Sequence, residues 1–123
     1  MGKKKILIID DEQDMVFFVK ANLELTDEYQ VITAGSGEEG LKLVLEHRPD
    51  LILLDIKLPG KDGFEILNTL KADGSPVKNI PVIMLTALRD ESFVARAKGS
   101  GAAEYLMKPF TVSELVEFIE RCL

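Results

Sequence analysis

The run Leu51-Ile52-Leu53-Leu54 has no polar face, and it leads straight into the carboxylate of Asp55. A strand of that kind must be covered on both sides, as in a parallel sheet layered between helices. Apolar runs at 6–9 and 82–85 make the same demand, whereas Tyr29-Gln30-Val31-Ile32-Thr33 alternates and Ala102-Ala103-Glu104-Tyr105 is mixed. Strands are therefore predicted near residues 5–9, 30–34, 51–54, 82–85 and 103–107, with a helix after each. Just beyond Asp55, Pro59-Gly60 supplies the preset φ and the positive φ of a type II turn, so the chain must reverse there.

Three helix starts can be read from spacing. Ser36, Asp62 and Thr111 each stand three residues before a glutamate (Glu39, Glu65, Glu114), the pattern in which cap and acid satisfy each other's backbone N–H groups. Val112, Leu115, Val116, Ile119 and Leu123 fall on one face of the last helix, and Ile66, Leu67 and Leu70 on one face of the third. Alternation of strands and helices with right-handed crossovers predicts a doubly wound α/β fold. With the apolar strands inside and the two mixed ones at the edges, the five-stranded parallel sheet takes the order 2-1-3-4-5, flanked by five helices. Its topological switch point lies between strands one and three, where such sheets place their sites.

The 123 residues fit one domain, 1–123, with a single substantial core. A hydrophobic fraction of 46% against 29% charged residues is ordinary for a globular chain, and no apolar run approaches the roughly 18 residues of a membrane span. No membrane segment is expected, and the cytoplasm is the expected location. A net charge of -6 speaks against direct nucleic-acid binding, which needs a basic stripe. Cys122 and His47 are the single residues of their kinds, so no thiolate cluster or disulfide can form within the chain.

Parallel strands bring their carboxyl ends to one rim. Strand one ends in Asp10-Asp11-Glu12, strand three in Asp55, strand four in Thr86 and strand five in Lys108-Pro109. Carboxylates crowded at a partly buried rim repel one another, and a divalent cation removes the penalty. Hard oxygen ligands favour Mg²⁺. Lys108 adds a compact ammonium and Thr86 a hydroxyl donor. Cation, ammonium and hydroxyl around one carboxylate suit a phosphoryl group in transfer, whose charge spreads over three oxygens. Asp55 is then the nucleophile. A carboxylate is ionised at neutral pH and needs no general base, so the predicted product is an aspartyl phosphate.

IIDDE, LLDIKLPGKDGFE, PVIMLTA and YLMKPF stand at these strand ends in this order. On them the chain resembles, along essentially its whole length, the receiver domains of two-component response regulators, of the single-domain, chemotaxis-regulator-like type. The resemblance implies the flavodoxin-like receiver fold and a phosphoryl group taken onto Asp55 from a sensor histidine kinase or a histidine phosphotransfer protein. It implies Mg²⁺ bound by Asp11, Asp55 and the backbone carbonyl of Lys57, with Asp10 acting through water. Lys108 and Thr86 would contact the phosphoryl oxygens, and the Lys108-Pro109 bond would be cis. A switch is implied as well: Thr86 moves toward the phosphoryl group, Tyr105 turns into the space left, and the face of helix four, strand five and helix five changes its affinity for a downstream protein. Such a domain promotes its own phosphorylation and dephosphorylation without being a turnover enzyme.

The first helix contains Met15-Val16-Phe17-Phe18-Val19, more apolar surface than one helical face can bury. Phe17 lies off the stripe of Met15, Val19 and Asn22 and is expected to be exposed, as part of the surface that docks the kinase or phosphotransfer helix. Other readings compete. The chain could be the receiver part of a longer DNA-binding or enzymatic regulator. A flavodoxin-like mononucleotide binder is disfavoured by the acidic loop after strand one, because phosphate cradles are Gly-rich nests or helix N-termini. A phosphatase of the haloacid dehalogenase type needs a second aspartate two residues after the nucleophile, where Lys57 stands.

Overall fold

A computed structural model of the chain describes residues 2–88 and 90–123. Strand β1 (Lys4–Ile9) is followed by α1 (Gln13–Glu24), β2 (Tyr29–Ala34), α2 (Gly37–His47), β3 (Leu51–Leu54), α3 (Gly63–Lys71), β4 (Val82–Thr86), α4 (Glu91–Gly99), β5 (Glu104–Met107) and α5 (Val112–Cys122). The strands form one parallel sheet in the order β2-β1-β3-β4-β5, as the apolar runs require. Because successive side chains point to opposite faces, each inner strand feeds two cores. Leu7, Ile9, Ile52, Leu54, Val82 and Met84 meet Val44 of α2, Phe64, Ile66, Leu67 and Leu70 of α3, and Ala97 of α4. Ile6, Ile8, Leu51, Leu53, Ile83 and Leu85 meet Val16, Val19 and Leu23 of α1, and Leu115 and Ile119 of α5.

Local signals act where spacing placed them, with small differences. Asp62 and Thr111 form complete capping boxes with Glu65 and Glu114. Ser36 Oγ accepts from Glu39 N at 3.2 Å, but the Glu39 carboxylate accepts from Gly35 N at 2.8 Å and not from the Ser36 backbone. The buried stripe of α1 is Val16, Val19 and Leu23; it shares Val19 with the expected Met15, Val19 and Asn22, and Met15 packs partly buried at its margin. Asn22 lies beside that stripe, where its amide donates to Phe18 O at 2.8 Å. Leu123 follows the last helical residue and is exposed, so it does not join Leu115 and Ile119 in the core. The outer edge of β2 is covered by α1: Lys20 Nζ donates to Val31 O at 2.9 Å, and Val31 N donates to the Glu24 carboxylate at 3.0 Å. Backbone groups on that edge strand are thereby kept from pairing with another chain.

The start of α3 is pressed against the end of β3. Gly63 N donates to Ile56 O at 2.7 Å, and a Cβ on Gly63 would lie 2.2 Å from the Asp55 carbonyl oxygen and 2.6 Å from Ile56 Cα. Backbone cannot swing aside as a side chain can, so any larger residue pushes the segment that carries Asp55. Gly63→Ala should destabilise the fold by roughly 1 to 3 kcal/mol, the usual cost of overpacking. Gly35→Ala, whose Cβ would meet nothing within 4 Å, should stay within about 0.5 kcal/mol of the parent. Urea denaturation midpoints compare the two, and equal losses would contradict the steric account.

Candidate functional site

Strand register assembles the site. Ile9 pairs with Leu54 and Thr86 with Met107, so Asp10 stands beside Asp55 and Thr86 is set against the start of the Lys108 turn. The ladders run one bond past the strands: Asp55 N donates to Ile9 O at 2.9 Å, Asp10 N to Ala34 O at 3.0 Å and Lys108 N to Thr86 O at 2.9 Å. These bonds fix the backbones of the carboxylates and the lysine while leaving their side chains to face one another. The Lys108-Pro109 peptide is cis. Asp10 and Asp55 are buried and Asp11 is exposed.

Asp10, Asp11 and Asp55 each offer a carboxylate oxygen, and those oxygens lie within 4.8 Å of one another. Oxygens on opposite sides of a Mg²⁺ ion stand about 4.2 Å apart, twice a bond of about 2.1 Å. An all-carboxylate set at this spacing therefore fits a hard divalent cation with little closure. Burial pushes the Asp55 carboxyl from its ordinary 3.8 up to about 6, and the neighbouring Asp10 charge adds to the rise. Lys108 and the backbone N–H groups of Ile56 and Lys57 oppose that rise without cancelling it.

Lys108 carries the balancing charge. Its Nζ donates to Asp10 Oδ2 at 2.8 Å, pairs with the Glu12 carboxylate and stands 3.5 Å from Asp55 Oδ2. Burial works against the ammonium, but its bonds to Asp10 and Glu12 and the charges of Asp10 and Asp55 outweigh that and hold it above the usual lysine range. Residue order points Lys108 at Asp55 or at an anion bound to it, and assigns Glu12 no role. Its one visible signal was an acid directly after Asp10-Asp11. Asp10 Oδ1 also accepts from Glu12 N at 2.9 Å, so this aspartate orders the loop as well as holding the lysine.

A cavity of about 220 Å³ opens over Asp55, bordered by Asp11, Glu12, Lys57, Thr86, Leu88 and Lys108. Thr86 Oγ1 accepts from Leu88 N at 3.2 Å, and a hydroxyl that accepts there keeps its proton to donate. Tyr105 is turned inward, where its hydroxyl donates to Leu88 O at 2.7 Å. The peptide groups of Leu88 are thus gripped from both sides by the two residues expected to switch. Phe17 is 74% exposed on α1, and Phe18 beside it is exposed too. A larger cavity, about 440 Å³, lies by the C-terminal halves of α2 and α3, but its lining is mainly apolar and lacks converging charges.

Residues 6–120 match the response regulator receiver domain family. The chain is 35% identical to sporulation initiation phosphotransferase F of Bacillus subtilis (strain 168), across 100% of this chain and 96% of that protein. It is 41% identical to the alkaline phosphatase synthesis transcriptional regulatory protein PhoP of the same organism, across 91% of this chain but 45% of PhoP. The chain thus spans about half the length of several curated relatives, including two regulators named ycf27. The chemotaxis response regulator CheY4 of Vibrio cholerae has the same fold, with a TM-score of 0.89 and 30% identity over 98% of this chain and 99% of that one. With a match that runs from the first strand into the last helix, this chain belongs to the response regulator receiver domains.

Proposed function

We propose that this receiver takes a phosphoryl group onto Asp55 from a phosphohistidine of a sensor histidine kinase or histidine phosphotransfer protein, and that the modification changes its partner-binding surface. The observation that carries the reading is a buried carboxylate set among two other acids, with an ammonium 3.5 Å away and an open cavity above it. Asp11, Asp55 and the Lys57 carbonyl would hold Mg²⁺, with Asp10 acting through water. When bound, the ion neutralises the crowded acids and the charge on the phosphoryl oxygens. An Asp55 carboxylate oxygen bonds to phosphorus as the phosphorus–nitrogen bond of the donor breaks, and the electron pair leaves with the imidazole. Lys108 and the Thr86 hydroxyl donate to the phosphoryl oxygens that result.

Transmission of the signal follows from the grip on Leu88. Drawing the Thr86 hydroxyl toward the phosphoryl group releases Leu88 N and biases the segment that leads into α4. That helix buries only Ala97 and is tied to α3 through Phe93 stacked on Phe64 at 6.1 Å and Arg96 over Phe64 at 4.0 Å. Few buried contacts make α4 easy to displace, which supports the face of α4, β5 and α5 as the surface that meets a downstream protein. Moving a population from 1:99 to 99:1 takes about 5.5 kcal/mol, and one hydrogen bond to a charged group supplies about 1.5 to 3. Thr86 therefore acts together with Lys108. A stand-alone relay is supported by the match across nearly all of sporulation initiation phosphotransferase F, and a receiver within a longer regulator by the match to half of PhoP.

Incubation with acetyl phosphate and Mg²⁺ should add the mass of one phosphoryl group at Asp55. Omitting Mg²⁺ or introducing Asp55→Asn should abolish it; a label on another residue, or none, would contradict the reading.

Exposed Phe17 is the proposed anchor for the donor's helix. Phe17→Ala should slow transfer from a phosphohistidine protein and leave acetyl phosphate labelling intact, whereas equal slowing in both assays would remove the docking role.

Without metal, the ionised acceptor is a burden on the fold. The folded-state value of about 6 exceeds the ordinary 3.8, so the contribution of this group to stability is fully present below 3.8 and lost as pH rises through 6. The cost above that point is on the order of 3 kcal/mol, at about 1.36 kcal/mol per pH unit. In chelator, Asp55→Asn should be more stable than the parent above about pH 7 by up to that amount, with the gap shrinking below about pH 5. Urea denaturation across this range checks it, and a gap independent of pH would count against a strained carboxylate.

A further inference from the structure

Glu12 follows Asp10 and Asp11, yet it is not among the three acids that share a cation-sized space. Its carboxylate is turned to Lys108 at the border of the Asp55 cavity. The ammonium is drawn to the β1 side, onto Glu12 and onto Asp10 at 2.8 Å, and away from Asp55 at 3.5 Å. Its partners are unequal. The Asp10 side chain is buried and also holds Glu12 N, whereas the Glu12 side chain is 57% exposed and can return to water at little cost. An anion arriving on Asp55 draws the ammonium toward it, away from the β1 side where Asp10 and Glu12 hold it. The exposed carboxylate is the one that gives way.

We infer that Glu12 is a positioning residue: a tethered carboxylate that occupies Lys108 until phosphoryl oxygens replace it. By holding the ammonium off Asp55 it keeps the acceptor open to Mg²⁺, and by competing for the same ammonium it slows phosphoryl uptake. The inference rests on Asp55 as the acceptor. It gives the substitution Glu12→Gln two effects of opposite benefit. Lys108, released from Glu12, moves toward Asp55 and competes with the ion, so Mg²⁺ affinity falls; at saturating Mg²⁺ the same release speeds the meeting of lysine and phosphoryl group. Each effect is about two- to fivefold, the range of a partly exposed ion pair. A general loss of folding would lower both quantities. Glu12 precedes α1 without a side-chain cap bond, so the substitution removes no helix cap.

The test is a double-mutant cycle on the full chain with Glu12→Gln and Lys108→Met. Mg²⁺ affinity is read from amide NMR shifts, since the chain has no tryptophan, and labelling by acetyl phosphate is followed by mass at saturating Mg²⁺. Weaker Mg²⁺ binding with faster labelling in Glu12→Gln, both vanishing in the Lys108→Met background, is the expected result. Effects of the same size in that background mean that Glu12 acts by charge alone and overturn the inference, as does a Glu12→Gln chain that labels no faster than the parent. A parent that takes no label overturns the acceptor reading and this inference with it.

Discussion

Two buried carboxylates, Asp10 and Asp55, stand side by side at the ends of adjacent strands, and their repulsion is what the surrounding structure has to contain. Strands of a sheet lie about 4.8 Å apart, so register alone forces the two acids together. Lys108 offsets part of the cost, and it reaches the pair because β5 ends at the same rim. Burial, with the Asp10 charge adding to it, still leaves Asp55 raised to about 6. Surplus negative charge, hard oxygen donors and one ammonium at a single rim are the ingredients that the proposed phosphorylation of Asp55 calls for.

Beside the lysine, backbone bonds hold the charged residues in place. The ladder bonds past β1, β3 and β5 fix where each charged residue leaves the sheet, and the close approach of Gly63 to the Asp55 carbonyl leaves that segment no room to retreat. Both hydrophobic cores lie beneath, one on each face. Rigidity at the rim contrasts with α4, which has little buried surface. Under the proposed function, chemistry on the carboxylate would be read out through α4, which buries Ala97 and packs Phe93 and Val94 at the margin of the core.

Much of this was legible in residue order. Runs such as Leu51-Ile52-Leu53-Leu54 demand burial on both faces, and that demand alone placed β1, β3 and β4 inside and β2 and β5 at the edges. The convergence of Asp10, Asp11 and Asp55 followed from parallel strands ending at one rim. What escaped were contacts set by the phase of a helix or the reach of a side chain. The α1 stripe is Val16, Val19 and Leu23, with Met15 at its margin, because the face that a helix turns to a sheet is set by packing across the whole domain. Glu12 and Lys108 are 96 residues apart, and no local pattern records which of several acids an ammonium will choose. The inward Tyr105 and its bond to Leu88 O escaped for the same reason, since an edge-strand tyrosine can point either way.

If a cation is what relieves the crowding, binding it must expel the proton that Asp55 holds too tightly. Calorimetric Mg²⁺ titrations near pH 6, in buffers of different ionisation enthalpy, count that proton directly. About half a proton should leave per ion near pH 6, falling toward none by about pH 8. Mg²⁺ that bound with no proton release near pH 6, or that did not bind at all, would contradict a site built on carboxylate repulsion.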